Sequence, residues 1–146
     1  MNLLPATPSA IIKMLDFYDI PIKGKEVAMV GCGDLVGKPL SKMLLEKEAA
    51  TLTVCTKFTK NIGDRIREAD LVITATGCPN FIKGDMIKKD AVVIDAGIFR
   101  SPAGIKGDVD FESVSKKARA ITPVPRGVGL VTIASLNENL VKAFKL

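Results

Sequence analysis

The chain has 146 residues, 47% of them hydrophobic and 25% charged, with 12 glycines and 8 prolines, as expected of one compact soluble domain. Lys and Arg number 21 against 16 Asp and Glu; the net charge of +5 is scattered rather than grouped in a run, which suits an anionic ligand better than a nucleic-acid arm. With no His and no Trp, a Ser/His/Asp triad, a Cys/His pair and a His-bearing zinc site are all excluded.

Taken in chain order, Thr7 is placed to cap a first helix with Pro8 at its opening position, carrying Ile11, Ile12 and Leu15 and ending before Pro21. Residues 26–30 form a short apolar run stopped by Gly31, which fits a strand buried on both faces of a parallel sheet. A helix from about Val36 sets Val36, Leu40, Met43 and Leu44 on one side. Residues 51–55 read as strand, 62–69 as helix, and 71–75 and 91–95 as strands. After Gly97 comes a loop rich in turn formers, Ser101-Pro102-Ala103-Gly104, then a helix over 111–117 and a short strand over 119–121. The last helix starts near Val128, and its Ile133, Leu136, Leu140 and Phe144 recur at helical spacing, which lays it on the sheet or against the first helix. This alternation predicts an α/β, Rossmann-like, doubly wound and mostly parallel sheet, with residues 1–146 as a single domain.

Gly31-Cys32-Gly33-Asp34-Leu35-Val36-Gly37 lies between the first strand and the helix after it. A glycine leaving the strand permits a tight turn, a second lets a pyrophosphate approach the backbone, and a third packs the helix on the sheet. Unpaired N–H groups at the helix start then meet negative charge. The spacing is GxGxxxG rather than GxGxxG, and such glycines alone serve a structural turn equally well; their place in a βαβ unit favours nucleotide binding. Asp34 opposes a phosphate, so it either turns away or caps the helix; capping is the expectation, with Lys38 near enough to offset its charge.

At the end of the second strand an NAD site places an acid for the adenosine ribose, whereas a 2′-phosphate needs a cation. The chain reads Val54-Cys55-Thr56-Lys57-Phe58-Thr59-Lys60 with no acid, so Lys57 favours NADP, although lysines in an exposed loop also serve as plain solvated charge. Thr74-Ala75-Thr76-Gly77-Cys78-Pro79 and Asp95-Ala96-Gly97-Ile98 exit strands at the carboxyl edge, where ligands bind such sheets; by themselves they are ordinary strand exits. Two prolines and two glycines in 122–129 stiffen the path into the last helix, as suits a ligand wall or a rigid connection.

Taken together, these segments resemble the bifunctional methylenetetrahydrofolate dehydrogenase/methenyltetrahydrofolate cyclohydrolase family along essentially the whole chain. Leu4-Pro5-Ala6-Thr7-Pro8 is similar to the family's LPCTP, and residues 31–39 to its GxSxxVGxP. Thr59-Lys60-Asn61, Ala69-Asp70-Leu71, Gly77-Cys78-Pro79, residues 93–98, Gly107-Asp108-Val109 and residues 121–125 follow in the family's order. The match covers the NADP-binding portion only; the family's N-terminal catalytic domain, with the lysine of a YxxxK motif that assists both chemical steps, has no counterpart here. In the family, a hydride passes from methylenetetrahydrofolate to NADP and water then opens the methenyl product, so its members are both oxidoreductases and hydrolases of one-carbon metabolism.

The resemblance implies that Gly31, Gly33, Val36 and Gly37 border the pyrophosphate, Thr56 and Lys57 the 2′-phosphate, and Thr76, Gly77 and Ile98 the nicotinamide side. Pro123, Val124, Gly127 and Val128 would line the cleft shared with the folate; no catalytic residue and no metal ligand is carried over. Five departures stand out: Gly33 and Asp34 replace the family's Ser and its neutral neighbour, Phe58 takes the place of the family's cation, and Arg126 and Leu130 replace the first glycine and last proline of PVPGGVGP. The expected protein is an NADP-binding half, inactive alone, that meets folate only with a companion catalytic domain. It is expected to form a homodimer and to self-associate through an apolar wall around Ile98, Val124 and Val128. The alternative is a non-enzymatic dinucleotide-binding module or a shortened relative with an altered ligand. Nucleic-acid binding rests on the +5 charge alone, without a basic stripe or a stacking platform. Cys32, Cys55 and Cys78 are too far apart for a CxxC motif, and an odd count with no secretory leader predicts reduced thiols and a cytoplasmic location; no apolar stretch is long enough to cross a membrane.

Overall fold

The structure, a computed structural model, describes residues 3–49 and 51–144. In chain order the elements are α1 (Ala6–Phe17), β1 (Glu26–Val30), α2 (Gly37–Glu46), β2 (Thr51–Cys55), α3 (Ile62–Ile66) and β3 (Leu71–Thr74). A 3-10 turn (Gly84–Met86) follows, then β4 (Val92–Asp95), β5 (Phe99–Ser101), β6 (Gly104–Lys106), α4 (Phe111–Ser115), β7 (Ala120–Ile121) and α5 (Val128–Phe144). Five strands form one parallel sheet in the order β2-β1-β3-β4-β7, and β5 and β6 form a separate antiparallel hairpin.

Alternate strand side chains face opposite layers, as the two-residue period of a strand requires. Val27, Met29, Leu71, Ile73, Val92 and Ile94 pack with α1 and α2 through Ile11, Leu15, Leu40 and Leu44. Ala28, Val30, Val72 and Val93 pack on the other face with Ile66, Ile82, Ile87 and Val114. Each fully buried Leu or Ile contributes on the order of 1.5–3 kcal/mol, so the two layers together hold the sheet between both sets of helices. The doubly wound parallel sheet predicted above is therefore present.

Two features of the sheet place a ligand crevice. The strand order reverses at β1, which has β2 on one side and β3 on the other. In addition, Val30 is in register with Cys55 and Thr74, and Thr74 with Asp95, so four strand exits emerge level at one edge. That edge, at the reversal, is where open α/β sheets bind ligands.

Several local expectations are corrected. Helix α1 starts at Ala6 after Pro5 and has no side-chain cap; Thr7 instead lies inside the first turn, its Oγ1 3.3 Å from Thr132 Oγ1 of α5. Pro8 is the third helical residue, two positions later than expected, and is tolerated because none of the first four N–H groups has an intrahelical acceptor. Helix α3 ends at Ile66, three residues early, in a turn closed by the Ala69 N–H donating to the Ile66 carbonyl at 3.0 Å. The loop after Gly97 is the β5–β6 hairpin, with Ser101 paired to Gly104 across Pro102-Ala103 and Gly104 at φ +115°. Helix α5 does pack against α1, but Ile133, Leu136, Leu140 and Phe144 are 59–91% exposed, and the buried positions are Val128 and Ser135. The face that α5 turns to α1 carries Val128, which reaches the core, and Thr132, which meets Thr7, so the apolar stripe on its other face turns outward.

Candidate functional site

The turn from β1 into α2 is built on glycine. Gly31 has φ +100°, and a Cβ there would lie 2.5 Å from the Ala75 carbonyl oxygen. A Cβ on Gly37 would lie 2.1 Å from the Gly31 carbonyl oxygen, so α2 seats directly on the turn. Gly33 differs: the direction a side chain would take is open for 4 Å. Among the described residues, the N–H groups of 32 to 36 donate to no protein acceptor, and the next turn closes only with the Lys38 N–H on the Gly33 carbonyl at 3.0 Å. Two glycines thus fix the turn and a third leaves its amides approachable, which fits the phosphates of a dinucleotide. Val36, half-buried, occupies the position before the helix.

Asp34 does not cap α2. Its exposed carboxylate meets Lys38 Nζ at 2.5 Å, one helical turn on, and helix α2 has no side-chain cap. The Lys38 hydrogen bond and charge hold the Asp34 carboxyl below its ordinary range and raise the lysine in return. The pairing offsets the carboxylate's charge beside the free amides.

The β2 exit folds on itself. The Thr56 N–H donates to Thr59 Oγ1 at 2.9 Å, the Phe58 N–H to Thr56 Oγ1 at 3.2 Å, and the Thr59 N–H to the Thr56 carbonyl at 3.0 Å. Lys57 is exposed, with Nζ 5.1 Å from the centroid of the Phe58 ring, and Phe58 is 81% exposed. No carboxylate lies in this turn, and Lys57 and Lys60 are the charged side chains it carries.

The exits of β3 and β4 meet. A Cβ on Gly31 would stand 3.3 Å from Thr76 Cγ2, and one on Gly77, at φ +74°, 3.9 Å from the Ile98 carbonyl. Thr76, Gly77 and Ile98, assigned above to one side of the ligand, are therefore neighbours, with Ile98 55% exposed. Beneath them are two buried aspartates that sequence reasoning treated only as parts of ordinary strand exits and motif matches. Asp95 Oδ1 accepts from the N–H groups of Gly97 (2.9 Å) and Asp108 (3.1 Å), and Oδ2 from that of Val109 (2.9 Å). Asp108 Oδ2 accepts from Thr74 Oγ1 (2.7 Å) and the Thr76 N–H (2.6 Å). Burial pushes the Asp95 carboxyl above its ordinary value; the backbone donors oppose that shift and the neighbouring Asp108 adds to it. The available signal was an aspartate closing the apolar run Val92-Val93-Ile94-Asp95, where a charge needs a dedicated set of partners.

The segment into α5 is tight and mixed in exposure. Pro123 is exposed, Val124 and Gly127 are half-buried, and a Cβ on Gly127 would lie 2.2 Å from the Pro123 carbonyl, so the turn is tight. Val128 is corrected: at 4% exposure it belongs to the core beneath α1, because the first turn of α5 is the part that reaches inward. Arg126 is exposed at φ +74°, a conformation costly for a residue with a Cβ. A groove of about 840 Å³ beside this segment is lined mainly by apolar side chains of α1, β4, β7 and α5, including Met14, Ile94 and Leu130. It shares Pro123, Arg126 and Gly127 with the segment but none of the glycine turn, so it is separate from the strand-exit crevice. Among the described residues there is no cluster of ligating side chains able to hold a metal.

Comparison with known proteins agrees with this geometry. Residues 5–146 match the family model described as "Tetrahydrofolate dehydrogenase/cyclohydrolase, NAD(P)-binding domain". The bifunctional protein FolD of Hydrogenobaculum sp. is 52% identical over 142 residues, covering 97% of this chain and 51% of its own length. The crystal structure of the Campylobacter jejuni bifunctional FolD enzyme superimposes with a TM-score of 0.93 at 48% identity, over 97% of this chain and 50% of that one. The Trypanosoma brucei methylenetetrahydrofolate dehydrogenase-cyclohydrolase, solved with NADP cofactor and an inhibitor, gives 0.91 at 38% identity, over 97% and 50%. The chain thus spans about half the length of the relatives it matches. On this evidence, and on a glycine turn and strand exits arranged for a dinucleotide, the chain belongs to the tetrahydrofolate dehydrogenase/cyclohydrolase family as its NAD(P)-binding domain.

Proposed function

We propose that the chain is the NADP-binding half of a methylenetetrahydrofolate dehydrogenase/methenyltetrahydrofolate cyclohydrolase, inactive alone and acting on folate only with a companion catalytic domain. The observation that carries the reading is the crevice itself: free amides at 32 to 36 over an open Gly33, with Lys57 and no carboxylate at the β2 exit. A bound NADP supplies the hydride acceptor. This chain's residues bind and orient it: Gly31, Gly33, Val36 and Gly37 at the pyrophosphate, Thr56 and Lys57 at the 2′-phosphate, Thr76, Gly77 and Ile98 at the nicotinamide. Pro123, Val124 and Gly127 border the folate side. The proton handling at the folate belongs to the companion, since this chain has no histidine and its buried aspartates are sealed from solvent.

Titration with NADP and NAD tests the assignment. NADP is expected to bind more tightly, and Lys57→Asp to erase the preference; selectivity unchanged by that substitution would refute it. A second reading, a dinucleotide-binding module without folate chemistry, is favoured by one observation, Arg126 standing exposed at φ +74° in the turn beside the cleft. Mixing the chain with a separately expressed catalytic half of a relative separates the two, since hydride transfer on mixing supports the enzyme and its absence the module.

A homodimer is part of the proposal, supported by the exposed apolar side chains of Ile98 and of the α5 stripe; a strict monomer in sedimentation at high concentration would count against it. A cytoplasmic location is supported by three unpaired cysteines, Cys32, Cys55 and Cys78. Among the described residues no helix is long and apolar enough to cross a membrane.

A further inference from the structure

The two aspartates beneath the β3 and β4 exits have no cationic partner among the described residues; every hydrogen bond they accept comes from a backbone N–H or the Thr74 hydroxyl. Asp108 is fully buried and Asp95 is 3% exposed. Placing carboxylates there is costly unless their donors are well aligned, so the arrangement calls for a role that apolar side chains could not fill.

That role is visible in what the two groups connect. Asp108 Oδ2 takes the Thr76 N–H and the Thr74 hydroxyl, fixing the turn that leaves β3. Its other oxygen, Oδ1, has no hydrogen-bond partner and lies against Gly97, where a Cβ would come within 2.0 Å of it. Asp95 gathers the N–H groups of Gly97, Asp108 and Val109, and its own N–H donates to Thr122 Oγ1 at 2.8 Å. A Cβ on Gly107 would meet Asp95 Oδ2 at 2.1 Å and Val124 Cγ2 at 2.8 Å. The parallel ladder between β3 and β4 ends at Thr74 and Asp95. Beyond it, the Ala96 N–H donates to the Thr74 carbonyl at 2.8 Å, and the aspartates hold the rest of the two turns together.

We propose that Asp108 is a positioning residue for the nicotinamide half of the cofactor, its buried carboxylate holding the Thr76-Gly77 turn against Gly97-Ile98 as one rigid seat. The proposal rests on the dinucleotide reading above. It separates the cofactor's two halves: the seat serves the nicotinamide end, whereas the adenosine end meets the β2 exit, which among the described residues shares no hydrogen bond with either aspartate.

The test uses NADP and 2′,5′-ADP, which carries the adenosine and 2′-phosphate half alone, with dissociation constants measured by calorimetry on the full chain. Asp108→Ala is expected to weaken NADP roughly tenfold through lost preorganisation and to leave 2′,5′-ADP within roughly twofold. Asp108→Asn keeps one oxygen to accept from Thr76 and Thr74 while removing the charge, so it is expected to retain more NADP affinity than the alanine variant. Thr74→Val removes one of the two donors without changing shape and is expected to show the same NADP-only loss at smaller size, which keeps the test alive if the alanine variant fails to fold. Equal weakening of both ligands, or no weakening of NADP in a folded variant, overturns the proposal. In the unsubstituted chain the Thr76 amide is expected to resist hydrogen exchange before any ligand is added, and fast exchange there overturns it as well. Failure of the unsubstituted chain to bind either ligand refutes the dinucleotide reading itself, a different result from any of these.

Discussion

At β3 and β4 the chain leaves the sheet through peptide groups tied to buried carboxylates, whereas at β2 it leaves through the 56–59 turn, which hydrogen-bonds only to itself under an exposed lysine and phenylalanine. One end of the crevice is fixed by the fold and the other is a surface feature laid over it. The contrast teaches where substitution is free. Side chains at the β2 exit are exposed and can change without disturbing buried hydrogen bonds, and on the function proposed above they would set ligand preference; at the β3 and β4 exits the aspartates that underlie the site also hold the sheet's edge together.

The largest effect that would sharpen this contrast is at the glycines. Gly37→Ala places a Cβ 2.1 Å from the Gly31 carbonyl, and urea denaturation is expected to show a loss of about 2–4 kcal/mol. Gly33→Ala, in the same turn but facing open space, is expected to cost no more than about 0.5 kcal/mol of stability while weakening NADP binding. Comparable losses of stability for the two would break the distinction between the glycines that fix the turn and the one that leaves it open.

Next in size is Gly97→Ala, whose Cβ would meet the Asp108 carboxylate at 2.0 Å; a loss of about 1–3 kcal/mol is expected. Its counterpart at the other end, Thr59→Val, deletes the acceptor of the Thr56 N–H in a half-exposed turn and is expected to cost about 0.5–1.5 kcal/mol. A cost for Thr59→Val above that for Gly97→Ala would reverse the ranking of the two exits.

Titration gives a third comparison, in opposite directions. Asp95 has its folded value raised by burial, so it favours the folded state fully below the ordinary aspartate range, and that contribution is lost as pH rises through the elevated value. Asp34 has its value lowered by Lys38, so its contribution is present above the ordinary range and lost as pH falls through the depressed value. Carboxyl-carbon NMR is expected to show Asp95 titrating above an ordinary aspartate and Asp34 below it; a reversed order would contradict the buried and exposed placements. The smallest effect is Lys57→Ala, expected to leave stability within about 0.5 kcal/mol while reducing NADP affinity.

Much of this was legible in the sequence because hydrophobic period and glycine placement are local signals. Val27 to Val30 is apolar at every position because both faces of β1 are covered, and Gly31 marks where the strand ends. Asp34 misled because an aspartate near a helix start caps as readily as it pairs with a lysine one turn on, and only the observed helix, opening three residues later at Gly37, decides between them. The apolar spacing along α5 marks a helix, but spacing cannot say whether the stripe faces the sheet or solvent. Asp108 was visible only as part of a motif; its partners come from Thr74 and Thr76, 34 and 32 residues earlier, a distance at which no sequence pattern speaks.

The outward stripe of α5 sets a practical condition on every measurement above. Because Leu130, Ile133, Leu136 and Leu140 are each at least 59% exposed, whatever covers them can dock without repacking the interior. By mass action such docking stabilises only the folded chain, so the melting temperature should climb with protein concentration if copies cover one another. Stabilities of variants are then comparable only at matched dilution, and a mild detergent that wets this helix should bring concentrated and dilute samples to the same value.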